Sequence, residues 1–149
     1  MCDALLRKYK FYLAFENGLC EDYITEKYWE QALEHDMVPV VMGGADYNKL
    51  VIPKSYINVL NFPSVESLAS YLKALDHNST AYNEYFYWKK QYQIDSTIPL
   101  CRLCEMLHNR SFPSKVHWDL GSFWSVKENC MRNSQTIKEQ VWSSVDVHC

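Results

Sequence analysis

The sequence predicts an α/β fold, in which helices flank a parallel β-sheet. Two short apolar runs, at residues 9–15 and 38–42, lie on either side of a segment with helical periodicity. A strand, a helix and a strand in this order form a βαβ unit, whose two strands lie parallel in one sheet. A third apolar run at residues 55–60 supplies a further strand. Strands that alternate with helices are typical of the α/β class.

The βαβ unit has the clearest pattern. Residues 9–15, YKFYLAF, are aromatic and almost continuously apolar, which indicates a buried strand. The next helix can begin at Asp22 or Thr25, because both residue types cap helix N-termini, and it runs to about Asp36. Its apolar residues fall on one face, namely Tyr28, Trp29, Ala32 and Leu33. The second strand, VPVVM, carries its proline near the start, where a missing N–H is tolerated.

The later elements are predicted from caps and periodicity. Ser64 can cap a helix that runs to about Asp76. Its apolar residues share one face and are Val65, Leu68, Ala69, Leu72 and Leu75. An aromatic-rich helix is predicted at residues 80–92, and a short one at residues 101–108.

Length and charge limit the possible functions. A chain of 149 residues fits one domain with a sizeable core. We predict that domain at residues 1–108, with a tail at residues 109–149 packing on it, because periodicity is poor in the tail. Net charge is −3 and no Lys/Arg-rich run occurs, which argues against a nucleic-acid partner. An anionic small ligand stays compatible, since one lysine and a helix N-terminus suffice for a phosphate.

Targeting signals are not evident in the sequence. No apolar run reaches the roughly 20 residues that a membrane helix needs, and Met1-Cys2-Asp3 does not open a signal peptide. The first predicted strand begins close to the start, which is compatible with a chain cut from a longer protein. Six cysteines, together with glycosylation motifs at Asn78 and Asn109, favour the secretory pathway.

Metal and nucleophile motifs give little support for a catalytic centre. Cys101 and Cys104 form a CxxC, for which a structural disulfide is favoured over a redox pair or a zinc site with His108 and His117. The sequence contains no DxD, GxSxG, HExxH or Walker A motif, so no metal site is predicted.

Polar residues follow the first strand, where α/β proteins bind ligands beyond the carboxyl ends of the strands. Asn17 lies just past that strand, and Glu26 and Lys27 lie in the first turn of the helix. The helix dipole disfavours a lysine there unless an anion such as a diphosphate is bound. The Glu26 carboxylate can accept hydrogen bonds from sugar hydroxyls. Alternatively, Glu26 and Lys27 are solvated helix surface and Tyr23 is a core aromatic. Gly43-Gly44 allows a close backbone approach to a ligand, or is a plain turn.

Three of these stretches, YKFYLAFEN, DYITEK and VPVVMGG, resemble the donor-binding signature of the α-1,3-fucosyltransferases of glycosyltransferase family 10. The resemblance extends through IPKSYINV, YNEYFYWKK and CRLCEML and covers residues from about 8 to 130. It implies the C-terminal, donor-binding half of a GT-B fold, in which two Rossmann-like halves face each other across a cleft. That family transfers L-fucose from GDP-β-L-fucose to a GlcNAc hydroxyl with inversion, without a DxD metal site.

The resemblance also implies roles for four residues. Asn17 and Tyr23 would position the nucleotide-sugar, Glu26 would hold sugar or ribose hydroxyls, and Lys27 would neutralise the diphosphate as it leaves. Gly18 stands where the family has serine. The family's catalytic base and a diphosphate-binding arginine belong to the N-terminal half and have no counterpart here. We therefore expect weak donor binding and no turnover from this chain alone.

The cysteines fit the same resemblance. In relatives the CxxC cysteines are disulfide-bonded, in some members to the N-terminal half, which makes Cys101 and Cys104 disulfide candidates. Cys20 lies in the motif loop and can reach Cys2, which would tie that loop down.

The leading interpretation is the donor-binding part of a Golgi-lumenal fucosyltransferase, anchored by an N-terminal membrane helix outside this chain. Its partners would be GDP-fucose and an N-glycan acceptor, with the core GlcNAc favoured by the CEDYITEK and MGG forms. One alternative is a catalytically inactive fragment that binds nucleotide-sugar. Another is a disulfide-stapled secreted domain that supports only protein contacts and binds no GDP.

Overall fold

The computed structural model describes residues 5–94, 100–125 and 129–130 of the chain. The described residues contain a parallel sheet of three strands in the order β1 (Phe11–Phe15), β2 (Val38–Met42) and β3 (Ile57–Asn58). β1 lies beside β2 in a register that pairs Phe11 with Val38 and Phe15 with Met42. The predicted α/β class, with a parallel sheet and flanking helices, is confirmed.

Helices follow each strand. In chain order they are α1 (Lys27–Leu33), whose turns are of the wide π type, α2 (Tyr47–Leu50), α3 (Val65–His77), α4 (Ser79–Glu84), α5 (Leu100–His108) and α6 (Leu120–Phe123). Two short 3₁₀ segments occupy Val59–Asn61 and Tyr87–Lys90.

Apolar clusters cover both faces of the sheet. Successive side chains of a strand point to opposite faces, so Val38 and Val40 enter one cluster and Val41 enters the other. α3 covers the first face through Leu68 and Leu75. The predicted cap of this helix is confirmed, since the Ser67 N–H donates to Ser64 Oγ over 3.2 Å.

α1 covers the second face of the sheet. Its buried residues Tyr28 and Leu33 pack with Ala14 of β1 and with Trp88 from the later 3₁₀ segment. β2 is buried from both sides, which explains why it is continuously apolar rather than alternating. β1 lies at the edge of the sheet, and its Leu13 is 60% exposed. Polar residues are therefore expected beyond the ends of the strands, where the chain reaches solvent.

The structure corrects three predicted boundaries. α1 begins at Lys27, because Asp22 has a left-handed backbone and the Thr25 hydroxyl bonds elsewhere. The third strand is shorter than residues 55–60, because Asn58 Oδ1 accepts from the Leu60 N–H and starts a 3₁₀ turn. The helix predicted at residues 80–92 is divided, since Tyr82 packs on the first cluster and Trp88 on the second.

Residues 100–125 carry exposed apolar side chains. Leu103 of α5 is half exposed, and Trp118 and Trp124 are 93% and 78% exposed. The division into a domain at residues 1–108 and a packed tail at residues 109–149 stays a prediction. In the part of the chain that the structure describes, no helix combines the length and apolar character needed to cross a membrane.

Gly44 allows the turn after β2 to touch the loop after β1. A Cβ at this position would lie 2.4 Å from the Leu19 carbonyl carbon, 2.5 Å from the Leu19 oxygen and 2.7 Å from the Cys20 nitrogen. We expect Gly44→Ala to lower the free energy of unfolding by about 1–3 kcal/mol, because backbone atoms cannot yield as side chains do. Urea unfolding followed by circular dichroism measures this loss.

Gly121→Ala is the matched control. A Cβ at this position in α6 would meet only the Asp119 carboxylate oxygen at 3.2 Å, at the end of a side chain. The Asp119 carboxylate accepts from the Ser122 N–H and must shift slightly, whereas alanine is a better helix former than glycine. We therefore expect a much smaller loss of stability than for Gly44→Ala. Equal stability of the two variants would contradict the close approach at Gly44.

Two buried tyrosines, Tyr28 and Tyr47, and the partly buried Tyr82 predict how stability depends on alkaline pH. Burial raises the pKa of Tyr28, Tyr47 and Tyr82 to about 12, whereas an unfolded tyrosine has a pKa of about 10. Their contribution is complete below pH of about 10 and is lost as pH rises from about 10 to 12, because only the unfolded chain then releases protons. Urea unfolding over this pH range measures the effect. The free energy of unfolding should decline less steeply with pH in Tyr28→Phe than in the unmodified sequence.

Candidate functional site

The loops after β1 and β2 meet at the carboxyl edge of the sheet. The Glu16 N–H donates to the Met42 carbonyl over 2.9 Å, which continues the strand pairing into the loops. Gly44 then lies against the backbone of Leu19 and Cys20. The polar loop and the glycine turn are thus neighbours in space, as parallel pairing requires.

Glu16 is a buried carboxylate at the centre of this edge. Its side chain is 1% exposed. Oε1 accepts from the Thr25 N–H over 2.9 Å, and Oε2 accepts from Thr25 Oγ1 over 2.9 Å and from Lys27 Nζ over 3.4 Å. A buried charge needs such partners, because the protein interior solvates it poorly. The carboxylate therefore joins the end of β1 to the start of α1.

Lys27 lies between this carboxylate and Asn17. Its Nζ donates to Asn17 Oδ1 over 2.8 Å, and its side chain is 24% exposed. The ammonium group is therefore held by two residues of the loop and still reaches solvent. A negative charge near a helix N-terminus is favourable, so Glu16 explains how a lysine is accommodated in the first turn of α1. The alternative that Lys27 is only solvated helix surface does not agree with these contacts.

The structure places the other two predicted residues differently. Tyr23 is 38% exposed, so it is not a core aromatic. Glu26 is exposed and is the cap residue of α1, without a side-chain capping bond. Asn17 and Lys27 are thus in direct contact. Tyr23 and Glu26, which are close to Lys27 in the sequence, expose their side chains to solvent.

Tyr28 ties α1 to the segment that precedes β3. The Ser55 hydroxyl donates to the Ile52 carbonyl over 2.6 Å, so the Tyr28 hydroxyl is the donor in its own 2.6 Å bond to Ser55 Oγ. The Tyr28 oxygen in turn accepts from the Ile52 N–H over 3.2 Å. Both hydroxyls are satisfied, which fixes the rotation of α1 and hence the direction of its first turn.

Tyr47 lies beneath the glycine turn. A Cβ on Gly43 would be 2.5 Å from the Tyr47 hydroxyl oxygen and 3.2 Å from Glu16 Cγ. Within the described chain this buried hydroxyl has no hydrogen-bond partner. Burial, and then the charge of Glu16, raises the pKa of Tyr47 to about 12, so the phenol stays neutral at physiological pH. Close packing thus requires glycine at position 43.

Glu16, Thr25 and Tyr47 were not among the predicted site residues. The available signal was Glu16 itself, an acidic residue directly after a buried strand. Its role depends on contacts with residues nine and eleven positions away, which spacing alone does not reveal.

A disulfide holds the loop after β1, but with a partner other than the predicted one. Cys20 is bonded to Cys130, and the Glu21 N–H donates to the Asn129 carbonyl over 2.8 Å beside it. The predicted pairing of Cys20 with Cys2 is therefore wrong, because residue 130 lies in an antiparallel bridge with Cys20. Cys2 lies outside the described residues.

Cys101 and Cys104 are free and exposed in the structure, so no disulfide joins the two cysteines of the CxxC. Their pairing with an N-terminal half, which the resemblance implies for some relatives, stays a prediction. Both lie in α5, one turn apart. His108 Nδ1 lies 2.8 Å from the Cys104 carbonyl oxygen. Among residues that the structure describes, no three His, Cys, Asp or Glu side chains are grouped to hold a metal.

The two glycosylation candidates are exposed. Asn78 Oδ1 accepts from the Ala81 N–H over 3.1 Å and caps α4. Asn109 Oδ1 accepts from the Ser111 N–H over 3.0 Å. Their use as glycosylation sites stays a prediction.

A groove of about 580 Å³ lies elsewhere, beyond the C-terminal end of α1. Its lining consists of Leu33, Glu34, Asp36, Trp88, Lys89, Tyr92, Gln93 and Ile94. None of the four predicted donor-binding residues contributes to it. The loops at the carboxyl edge are therefore separate from this groove.

A parallel sheet with helices on both faces and a cationic group at one strand edge defines the chain as an α/β, Rossmann-like domain, consistent with the C-terminal half of a GT-B glycosyltransferase. Residues 1–123 match the C-terminal domain of glycosyltransferase family 10 (fucosyltransferase). The chain belongs to this family.

Relatives agree with this assignment. The chain is 46% identical to alpha-(1,3)-fucosyltransferase C of Drosophila melanogaster over 78% of its own length and 28% of that protein. It is 42% identical to glycoprotein 3-alpha-L-fucosyltransferase A of the same organism, over 93% of the chain and 29% of the relative. It is 43% identical to human alpha-(1,3)-fucosyltransferase 4, over 78% of the chain and 23% of that protein. The chain thus spans less than a third of the length of these glycosyltransferases.

Reduction of the disulfide should destabilise the domain. Cys20 and Cys130 are separated by 110 residues, so the bond restricts most of the unfolded chain. We expect Cys130→Ser to lower the free energy of unfolding by about 2–4 kcal/mol. Urea unfolding with and without dithiothreitol measures this loss, and the variant should not respond further to the reductant.

Thiol alkylation provides the control. In the native protein, Cys101 and Cys104 should react with iodoacetamide, and Cys20 and Cys130 should not, as read by peptide mass spectrometry. Alkylation of Cys20 before reduction would contradict the assigned pairing.

Proposed function

We propose that the chain is the donor-binding part of an α-1,3-fucosyltransferase. The enzyme would transfer L-fucose from GDP-β-L-fucose to a GlcNAc of N-glycans, with inversion at the anomeric carbon. The observation that carries this proposal is the Lys27 ammonium, held by Asn17 at the start of α1 and at the carboxyl edge of the sheet. This is the position at which α/β sheets bind phosphorylated ligands.

The charge arrangement supports a diphosphate at this position. An ammonium group has three N–H donors, of which one bonds to Asn17 and one to Glu16. The third donor is available for a phosphate oxygen, because the side chain reaches solvent. A cation there would stabilise the negative charge that develops on GDP as the bond to fucose breaks.

The exposed neighbours would complete the donor site. Glu26 would accept hydrogen bonds from sugar or ribose hydroxyls and favour positive charge at the anomeric carbon. Tyr23 would present its ring and hydroxyl to the nucleotide-sugar. Both side chains reach solvent at the start of α1, so neither must unpack from the core to contact a ligand. No metal is required in this proposal, since Lys27 supplies the countercharge.

The catalytic base belongs, in this proposal, to an N-terminal half that faces the carboxyl edge of the sheet. Inverting transfer needs a base within hydrogen-bond reach of the acceptor hydroxyl. The exposed side chains of Asn17, Tyr23 and Glu26 next to Lys27 are compatible with one wall of such a cleft. The second candidate function is a catalytically inactive fragment that binds nucleotide-sugar.

We further propose the core GlcNAc of N-glycans as the acceptor. The name of the Drosophila glycoprotein 3-alpha-L-fucosyltransferase A supports a glycoprotein substrate, and that protein matches the larger share of this chain.

The Golgi lumen is the proposed location, with a membrane anchor on the full-length protein. The disulfide of Cys20 and the exposed Asn78 and Asn109 fit an oxidising, glycosylating compartment.

Calorimetry with GDP tests the donor site. We expect the chain to bind GDP weakly and Lys27→Met to weaken binding by about tenfold or more, because a charge-assisted hydrogen bond is lost. Lys49→Met is the matched control, since Lys49 is 80% exposed and its ion pair is with the surface carboxylate of Asp46. Equal affinities of the two variants would contradict the proposal.

A further inference from the structure

We propose that Glu16 is a positioning residue for the donor site, acting through Lys27. The proposal rests on the proposed function, since it concerns the same diphosphate. In it, the buried carboxylate sets the place of the Lys27 ammonium before the donor arrives. Glu16 itself would not touch the donor, because its side chain is 1% exposed.

The two carboxylate oxygens have different partners. Oε1 accepts from the Thr25 backbone N–H, which fixes the chain just before α1. Oε2 is shared between the Thr25 hydroxyl and the Lys27 ammonium. The Thr25 contacts hold the carboxylate in one orientation, and Oε2 is thereby presented to Lys27. A single buried group thus sets both the start of the helix and the direction of the lysine side chain.

Without Glu16, the Lys27 ammonium would not be held at the carboxyl edge of the sheet. A lysine side chain is long and flexible, and an exposed ammonium prefers to be fully hydrated. The dipole at the start of α1 also repels it. Glu16 opposes both effects, and Asn17 bonds to the same nitrogen on the solvent side. The ammonium is thus confined between a buried anion and a neutral amide that a diphosphate can approach.

Glu16→Gln removes the negative charge of the side chain and keeps nearly the same shape. The amide oxygen can still accept from the Thr25 N–H, but the amide N–H₂ then faces the ammonium, so two donors meet. We expect GDP affinity to fall by about tenfold in this variant. In a chain that already carries Lys27→Met, Glu16→Gln should leave GDP affinity unchanged, since there is no ammonium to place.

Thermal unfolding of the same four proteins reports the structural role separately. Glu16→Gln should lower the melting temperature when Lys27 is present. With Lys27→Met it should raise the melting temperature, because an uncompensated buried charge is removed. A purely structural Glu16 would give equal, additive losses of GDP affinity in both backgrounds, and that outcome would overturn the proposal.

Amine labelling tests the placement without GDP. Acetylation of Lys27 by a limiting amine-reactive ester, followed by mass spectrometry, should be several-fold faster in Glu16→Gln than in the unmodified sequence. Lys49 serves as the internal reference, because it lies on the exposed surface. Unchanged labelling of Lys27 would overturn the positioning role even if GDP did not bind. Absence of GDP binding together with faster labelling would contradict only the proposed function.

Discussion

Parallel pairing of β1 with β2 is the constraint on which the rest of the structure depends. The register that sets Phe11 beside Val38 and Phe15 beside Met42 brings the ends of both strands to one edge. Only then can the loop at Glu16 and the turn at Gly44 touch, and only glycine leaves room for that contact. The strands are held in this register by apolar burial on both faces, so packing of the core determines the geometry of the polar edge.

Electrostatics at that edge follow from burial. A carboxylate inside a protein loses most of its hydration and must be compensated by donors and an opposite charge. Glu16 obtains two donors from Thr25 and an ammonium from Lys27. The lysine is in turn only partly neutralised, since it faces solvent on its other side. The ammonium therefore keeps an N–H donor that faces solvent at this edge.

Sequence patterns predicted the elements whose determinants are local. The apolar runs of β1 and β2 and the cap at Ser64 depend on neighbouring residues, and all three agree with the structure. The start of α1 was predicted too early because the Thr25 hydroxyl serves the distant Glu16 instead of capping the helix. The partner of Cys20 could not be read from spacing, since six cysteines allow many pairings. Lys27 was identified by its unfavourable helix position, whereas the carboxylate that balances it required three-dimensional contacts.

The bond between Cys20 and Cys130 also has a consequence for biosynthesis. The two residues are 110 positions apart, so the ribosome must add most of this chain after Cys20 before its partner exists. At about 5–20 residues per second, this interval lasts on the order of several seconds. Throughout that time the nascent βαβ unit has a free thiol in the loop after β1. Oxidising enzymes must therefore leave Cys20 unpaired, or exchange an early partner, until the later segment is translated.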